Sequence, residues 1–133
     1  MSLTIELIKA DIVASEKMIE EYKTKKYKSS KNVIAYHLQQ ATEKLIKIQI
    51  YAKARPNSNL KLYTHNISAL IKQAQVNLIT IYVPKYISKN AMKITNWEAS
   101  SRYDFEFNIR INTLEKTYKE IIIWYDYVKD YII

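Results

Sequence analysis

Apolar residues recur along most of the chain at steps of three and four positions, the period of an amphipathic helix. The pattern predicts five helices. The first carries the inward stripe Ile5, Ile8, Ile12, Ser15, Ile19 and Tyr22. It ends in a lysine-rich stretch, residues 23–31, that we expect to be a helix end followed by a solvated loop. The second helix, with Ser29 or Ser30 as N-cap, carries the most regular stripe, Ile34, Leu38, Ala41, Leu45, Ile48 and Ala52.

The pattern is less regular in the second half of the chain. A third helix is expected to start near Thr64 or Asn66, both good N-caps, and to bury Ile67, Leu70, Ile71 and Ala74. Pro84 fits the first turn of a short fourth helix. The last helix should run from about Asn112 towards Ile132, with an inward stripe of Leu114, Tyr118, Ile121, Tyr125, Val128 and Ile132.

Composition strengthens the helical prediction. The 133 residues are 48% hydrophobic, which suits one core, so we expect a single domain over residues 1–133. Zero Gly and two Pro disfavour a strand-and-turn architecture, because tight hairpins need positive φ. The predicted fold class is therefore all-α, an up-down bundle of four to five helices.

Several kinds of chemistry are disfavoured by the same composition. The chain has no Cys, and its two His are far apart, so we expect no metal site and no cofactor. The N-terminus lacks the pattern of a signal peptide, and no apolar run approaches the roughly 20 residues of a membrane span. We expect a soluble cytoplasmic protein that does not bind membranes.

Positive charge is concentrated in the middle of the chain. The net charge is +8, yet no acid occurs between Glu43 and Glu98, a stretch that holds eight Lys and one Arg. If the second and third helices are neighbours, one electropositive region unites Lys44, Lys47, Arg55, Lys61, His65 and Lys72. Such a region attracts phosphates or an acidic protein surface. The alternative is that these lysines only solvate exposed helix faces.

A polar stripe lies beside the apolar stripe of the second helix, formed by His37, Gln40, Lys44, Lys47 and Tyr51. We predict that it is a ligand surface, with the lysines on phosphates and the rings on bases or sugars. The alternative is a bundle rim of half-buried rings and snorkelling lysines. Glu43 is expected to pair with Lys47, four residues on.

Two further residues have two interpretations each. Because it carries an imidazole, His65 is a candidate phosphate or nucleotide contact, although a Thr-His-Asn helix start more often serves capping and packing. Arg102 is a candidate phosphate contact, or it pairs with Asp104 or Glu98 and fixes a loop. No catalytic residue is predicted.

The last helix carries a second apolar face with Trp124, Tyr127 and Tyr131. Aromatic residues on a helix commonly anchor protein contacts, so this face predicts an interface in a homodimer or with another subunit. The alternative is that the bundle covers both faces itself.

Three fragments in fixed order, Ala35–Lys47 (AYHLQQATEKLIK), Tyr63–Ile67 (YTHNI) and Ser101–Asp104 (SRYD), resemble HEPN domains, which are small helical bundles. The resemblance covers about residues 5–132. Relatives with the Glu43-Lys44-x-x-Lys47 pattern often work with a small nucleotidyltransferase. The resemblance thus implies a non-catalytic module that binds nucleotide or RNA phosphates beside such a partner, in a toxin–antitoxin or nucleotide-metabolism context.

Many HEPN domains are metal-independent ribonucleases with an Arg followed four to six residues later by a His. This chain departs from that motif, because no His follows His65. Two alternatives stay open: a ribonuclease or toxin that uses His37 or His65 with Arg102, and a bundle that only holds a protein partner.

Overall fold

The all-α prediction is confirmed by the architecture of the chain. The computed structural model describes residues 4–55, 60, 62–103 and 109–132, and it gives only the backbone of residues 102 and 103. Within these ranges there are six helices and no strand: α1 (Ile5–Lys25), α2 (Lys28–Lys53), α3 (Ile67–Val76), α4 (Lys85–Lys89), α5 (Ala91–Tyr103) and α6 (Ile111–Ile132). This number exceeds the predicted four to five helices by one, because the region after Pro84 forms both α4 and α5.

Helix α2 is the centre of the bundle. It packs against α1, α3, α5 and α6, while α1 and α6 also contact each other. The apolar stripes predicted for α1 and α3 supply most of the buried residues of those helices, whereas the stripe predicted for α2 supplies five of its 13 buried residues. Ala52 is an exception, since it lies in the exposed last turn of α2. Because α2 has neighbours on several sides, it also buries polar residues, among them Gln39, Glu43 and Gln49.

The starts of two helices test the predicted caps. Asn66 is the N-cap of α3, and its side-chain oxygen accepts from the backbone N–H of Ala69 at 3.0 Å, which confirms the prediction. The predicted caps Ser29 and Ser30 are wrong, because α2 already begins at Lys28. Both serines therefore lie within its first turn, and Ser30 is buried.

The ends of α1 and α3 show how a chain without Gly terminates helices. Lys26 and Leu78 have φ of 60° and 55°, in the left-handed region where Gly is the usual residue. At the end of α3, the N–H of Leu78 bonds the carbonyl of Gln75, and the N–H of Ile79 bonds that of Ala74. These two bonds form a Schellman motif and hold Leu78 in its strained conformation with 92% of its surface exposed.

Residues 79–83, called here the 79–83 segment, run between α3 and α4 and are anchored by the side chain of Gln49. The amide nitrogen of Gln49 donates to the carbonyl of Tyr82 at 3.0 Å, and its oxygen accepts from the N–H of Tyr82 at 2.8 Å. The fully buried Trp124 also donates its Nε1–H to that carbonyl, at 2.9 Å. The prediction of Trp124 as an interface residue is therefore wrong, because the bundle covers this part of α6 itself.

Candidate functional site

Two of the predicted ligand residues, His37 and Lys44, surround the carboxylate of Asp11 on α1. His37 Nδ1 lies 2.8 Å from Asp11 Oδ1, and Lys44 Nζ lies 2.7 Å from Oδ2. The Asp11 side chain is only 9% exposed, and these two partners bond both of its oxygens inside the bundle. We call this group the Asp11 cluster.

A second carboxylate, Glu43, organises two more predicted ligand residues. Glu43 Oε1 lies 2.7 Å from His65 Nδ1, and Oε2 lies 3.6 Å from Lys47 Nζ, so the predicted pairing with Lys47 is confirmed. The Glu43 side chain is 6% exposed, whereas that of His65 is 60% exposed. We call this group the Glu43 cluster.

The Gln39 side chain bonds both His65, a member of the Glu43 cluster, and Gln40 of the predicted polar stripe. Its amide nitrogen donates to the backbone carbonyl of His65 at 3.3 Å, and its oxygen accepts from the Gln40 amide at 2.8 Å. The next member of the predicted polar stripe, Tyr51, is exposed in the last turn of α2. In the two clusters, the two carboxylates offset the two lysine charges. The stripe therefore has little net charge to offer an external phosphate.

Cationic side chains and exposed rings lie together instead at the carboxyl end of α2. A cavity of about 350 Å³ is lined by Lys53, Arg55 and residues 77–80. A second cavity, of about 370 Å³, shares Lys53 and Thr80 with the first and is otherwise lined by Ile81, Tyr82, Tyr127 and Tyr131. None of these lining residues is acidic. We call the group Lys53, Arg55, Thr80, Tyr82, Tyr127 and Tyr131 the basic-aromatic corner.

The three tyrosines of the corner contact one another. The ring centroids of Tyr82 and Tyr127 are 4.8 Å apart, and those of Tyr127 and Tyr131 are 5.3 Å apart. All three rings are partly exposed. Burial raises the pKa of the Tyr131 phenol, with a smaller contribution from Tyr127, so its hydroxyl stays protonated at neutral pH. The corner thus presents uncharged aromatic faces to solvent.

Lys53 connects the aromatic part of the corner with the basic part. Its Nζ donates to the carbonyl of Thr80 at 2.6 Å and lies 5.1 Å from the centroid of the Tyr131 ring, within cation–π range. A lysine ammonium has three N–H donors, so this contact leaves others for an anion. Together, the two cavities can hold a phosphate next to a stacked ring.

The local sequence explains this placement. Tyr127 and Tyr131 are four residues apart on α6 and therefore lie one above the other. The 79–83 segment is not helical, and burial alternates along it, with Thr80 and Tyr82 exposed and the apolar residues beside them half-buried. Gln49 fixes the backbone of Tyr82, which places its ring beside Tyr127.

The structure divides the predicted site residues into groups. Arg55, Tyr127 and Tyr131 lie in the corner, whereas four others belong to the carboxylate clusters: His37, Lys44, Lys47 and His65. The side chain of Arg102 and all of Lys61 lie outside the described residues. The sequence analysis missed Tyr82, although the two-residue alternation of apolar and polar positions at 79–83 was a usable signal of an extended segment.

Comparisons with family models, curated proteins and solved structures found no match to this chain. The likeness to HEPN domains therefore rests on the three sequence fragments. No described helix is both long and apolar enough to cross a membrane. Within the described ranges, no three side chains of His, Cys, Asp or Glu come together in a way that would ligate a metal.

Proposed function

We propose that this chain is a non-catalytic binding module for nucleotide phosphates, free or within single-stranded RNA, and that the basic-aromatic corner is its contact surface. One observation carries the proposal: Lys53 lines both cavities and joins a cation-lined site to a group of three exposed tyrosines. Phosphates bind Lys and Arg, and bases of any sequence stack on aromatic rings.

Within the corner, the basic residues and the tyrosines have different roles in this proposal. Lys53 and Arg55 hold the phosphate in the first cavity, while Tyr127 and its neighbours receive the base in the second. Arginine offers a planar set of donors for two phosphate oxygens, and lysine adds a point charge. Because any base can stack on a tyrosine ring, this surface discriminates poorly between bases and chiefly recognises a ring beside a phosphate.

Partner binding is the second part of the proposal. The resemblance to HEPN domains supports a homodimer or a complex with a small nucleotidyltransferase. Helix α6 has suitable apolar surface, because Ile123 is 70% exposed and lies one turn before Tyr127. A transferase bound there would lie beside the corner and the nucleotide in it.

Titration of fluorescently labelled single-stranded RNA at low and moderate salt tests the proposal. Arg55→Gln should weaken binding and reduce the salt dependence by about one phosphate contact. Lys72→Gln is its matched control, since Lys72 is an exposed cation on α3 outside both cavities. Tyr127→Leu should weaken binding by about tenfold, from a stacking energy of about 1–3 kcal/mol. Tyr63→Leu, at a fully exposed tyrosine outside the cavities, should not.

The outcomes separate the candidate functions. Equal losses in the test and control variants would contradict a site at the corner. A mononucleotide that competes for the same site would show that one phosphate and one base suffice. Absence of any salt-sensitive binding would leave a bundle that only holds a protein partner.

One observation supports a second candidate, a ribonuclease. The buried Glu43 holds Nδ1 of the largely exposed His65, an arrangement that orients an imidazole for proton transfer. RNA recovered from the titration and run on a denaturing gel tests this candidate. Cleavage that disappears in a folded His65→Ala variant would favour the ribonuclease, and intact RNA favours the binding module.

A further inference from the structure

Backbone hydrogen bonds are made at every second residue of the 79–83 segment. The carbonyl of Thr80 accepts from Lys53 on α2, and both backbone groups of Tyr82 bond the side chain of Gln49 on the same helix. The N–H and the carbonyl of Ile81, by contrast, make no hydrogen bond to any described residue, and the same is true of the N–H of Val83.

This alternation indicates an extended strand that lies along α2. Backbone groups of successive strand residues point to opposite edges, so those of Ile81 and Val83 point away from α2. The spacing agrees, because four residues of a helix rise about 6 Å and two residues of a strand about 6.6 Å. Val83 also precedes Pro84, which favours extended backbone at Val83. We call the edge that points away from α2 the free edge.

The composition of the 79–83 segment suits strand pairing. Its sequence, Ile-Thr-Ile-Tyr-Val, is β-branched or aromatic at all five positions and carries no charge. Proteins usually protect the edge of a strand with a lysine, a proline or a bulge within it, and this segment has no such residue. An unprotected edge of this kind is a template to which a further strand can be added.

A cavity of about 410 Å³ adjoins the strand on the side away from α2. Residues of the 79–83 segment line it, among them Ile81 and Val83, together with the apolar side chains of Ile71 and Ala74 on α3. None of its described lining residues belongs to α2. A strand added at the free edge would place every second side chain over this cavity. The cavity therefore suits apolar residues at alternate positions of the added strand.

Charge indicates which kind of strand fits. No described lining residue is acidic, and three exposed lysines, Lys72, Lys85 and Lys89, lie within two residues of lining positions in the sequence. An acidic partner complements these charges, whereas a second copy of this chain carries a net charge of +8. In a second copy, moreover, Ile81 and Val83 pack against its own core and cannot fill the cavity.

We propose that the free edge of the 79–83 segment binds an extended acidic peptide, a segment of a partner protein, as an added β-strand. The backbone of the peptide bonds the free groups of Ile81 and Val83, and its alternate apolar side chains enter the cavity. Its carboxylates lie near the three lysines. This inference goes beyond the proposed function, because it needs no nucleotide and because neither Lys53 nor Arg55 lines this cavity.

Hydrogen exchange of backbone amides, followed by ¹H–¹⁵N NMR of the full chain, tests the proposal. In the free chain, the amides of Ile81 and Val83 should exchange faster than that of Tyr82, which Gln49 holds. The probe is the synthetic peptide acetyl-Glu-Glu-Val-Thr-Val-Thr-Val-Glu-Glu-amide, because main-chain bonds supply most of the affinity in strand addition. At about ten times its Kd, the peptide should slow exchange at Ile81 and Val83 by about tenfold.

Three modified peptides are the matched controls, and they need no substitution in the protein. Methylation of the valine nitrogens removes the N–H donors from one edge of the peptide strand, and methylation of the threonine nitrogens removes them from the other edge. One of these two peptides should therefore bind at least about tenfold more weakly than the other. A peptide with Lys in place of every Glu should bind about tenfold more weakly than the probe at low salt.

Several outcomes would overturn the proposal. They are unchanged exchange at Ile81 and Val83 with the peptide present, equal affinities of the two methylated peptides, and loss of peptide binding in Arg55→Gln, which would place the peptide at the corner. Protection that appears without peptide and grows with protein concentration would also overturn it, by assigning the free edge to a second copy. RNA binding that persists when the peptide fails to bind would leave the proposed function intact.

Discussion

Replacing Gln49 with Leu tests how the 79–83 segment is held against the bundle. The Gln49 side chain is fully buried on α2 and makes four hydrogen bonds. It donates to the carbonyls of Leu45 and Tyr82, and it accepts from the N–H of Tyr82 and the hydroxyl of Tyr131. Leucine keeps helix propensity and similar bulk but satisfies none of these groups.

The cost of Gln49→Leu follows from what each partner does afterwards. The carbonyl of Leu45 stays in the helical ladder, and that of Tyr82 keeps the bond from Trp124. The hydroxyl of Tyr131 can turn to water, because this side chain is partly exposed. The backbone N–H of Tyr82 is therefore the one group that loses its hydrogen-bond partner and then faces the apolar side chain of the introduced leucine. One unpaired backbone donor predicts a loss of about 1–3 kcal/mol in the free energy of unfolding.

Urea unfolding followed by circular dichroism measures this loss as a lower midpoint with an unchanged slope. Tyr131→Phe is the control, because it removes only the bond whose donor can reach water, and it should cost less than about 1 kcal/mol. The reasoning is refuted if Gln49→Leu is as stable as the parent chain, or if Tyr131→Phe costs as much. RNA binding should also weaken in Gln49→Leu, since Tyr82 loses its anchor in the corner.

Two smaller predictions concern helix ends and ionisation. Leu78→Gly should raise the free energy of unfolding by about 1 kcal/mol, because it relieves the left-handed strain of an exposed residue, whereas Leu78→Ala, which keeps a Cβ, should be close to neutral in the same urea assay. Burial and the bond to Glu16 raise the pKa of Tyr118 from its ordinary value of 10.0 to about 12. A raised phenol pKa means that the unfolded chain ionises first, so stability should fall as pH rises from 10 to 12. That fall should be smaller in Tyr118→Phe, and equal slopes would contradict the assignment.

The sequence was sufficient for the helices whose neighbours lie on one side. In α1 and α3 a single apolar stripe faces the core, so the 3.6-residue period located both, and Asn66 marked the start of α3. Helix α5 was harder, because polar residues lie between its buried positions Ala91, Ile94 and Trp97, and its apolar face is narrow. A weak periodic signal of this kind does not distinguish a covered helix from a loop.

The second apolar face of α6 shows another limit of prediction from sequence. Its pattern was correctly identified, but what covers it depends on a distant segment. Trp124 is fully buried, and the carbonyl of Tyr82, 42 residues earlier, accepts its indole N–H. Only the outer part of the face, at Tyr127 and Tyr131, remains for a ligand or a partner. The periodicity of a sequence indicates that a helix face is apolar. Which segment packs on that face depends on the tertiary structure and cannot be read from the pattern.

The charges of α2 show the same difference between what the sequence pattern predicts and what the tertiary structure determines. In the sequence, Lys44 and Lys47 open a stretch without acids and look like the strongest phosphate contacts. In the fold, Asp11 approaches Lys44 from another helix, 33 residues away, and Glu43 turns towards Lys47 and His65 from within the bundle. Charges compensated in this way have little attraction left for an external anion.

Because the lysines at the middle of α2 are paired with carboxylates, we propose the carboxyl end of α2 as the binding surface. There Lys53 and Arg55 line a cavity without an acidic residue, and a helix carboxyl terminus with its exposed carbonyls favours cations in that place. No carboxylate lines the two cavities beside these cations. Introducing an acid at Thr80, which both cavities share, would recreate the compensation seen at Asp11. By this argument, Thr80→Asp should abolish RNA binding while leaving the two carboxylate clusters unchanged.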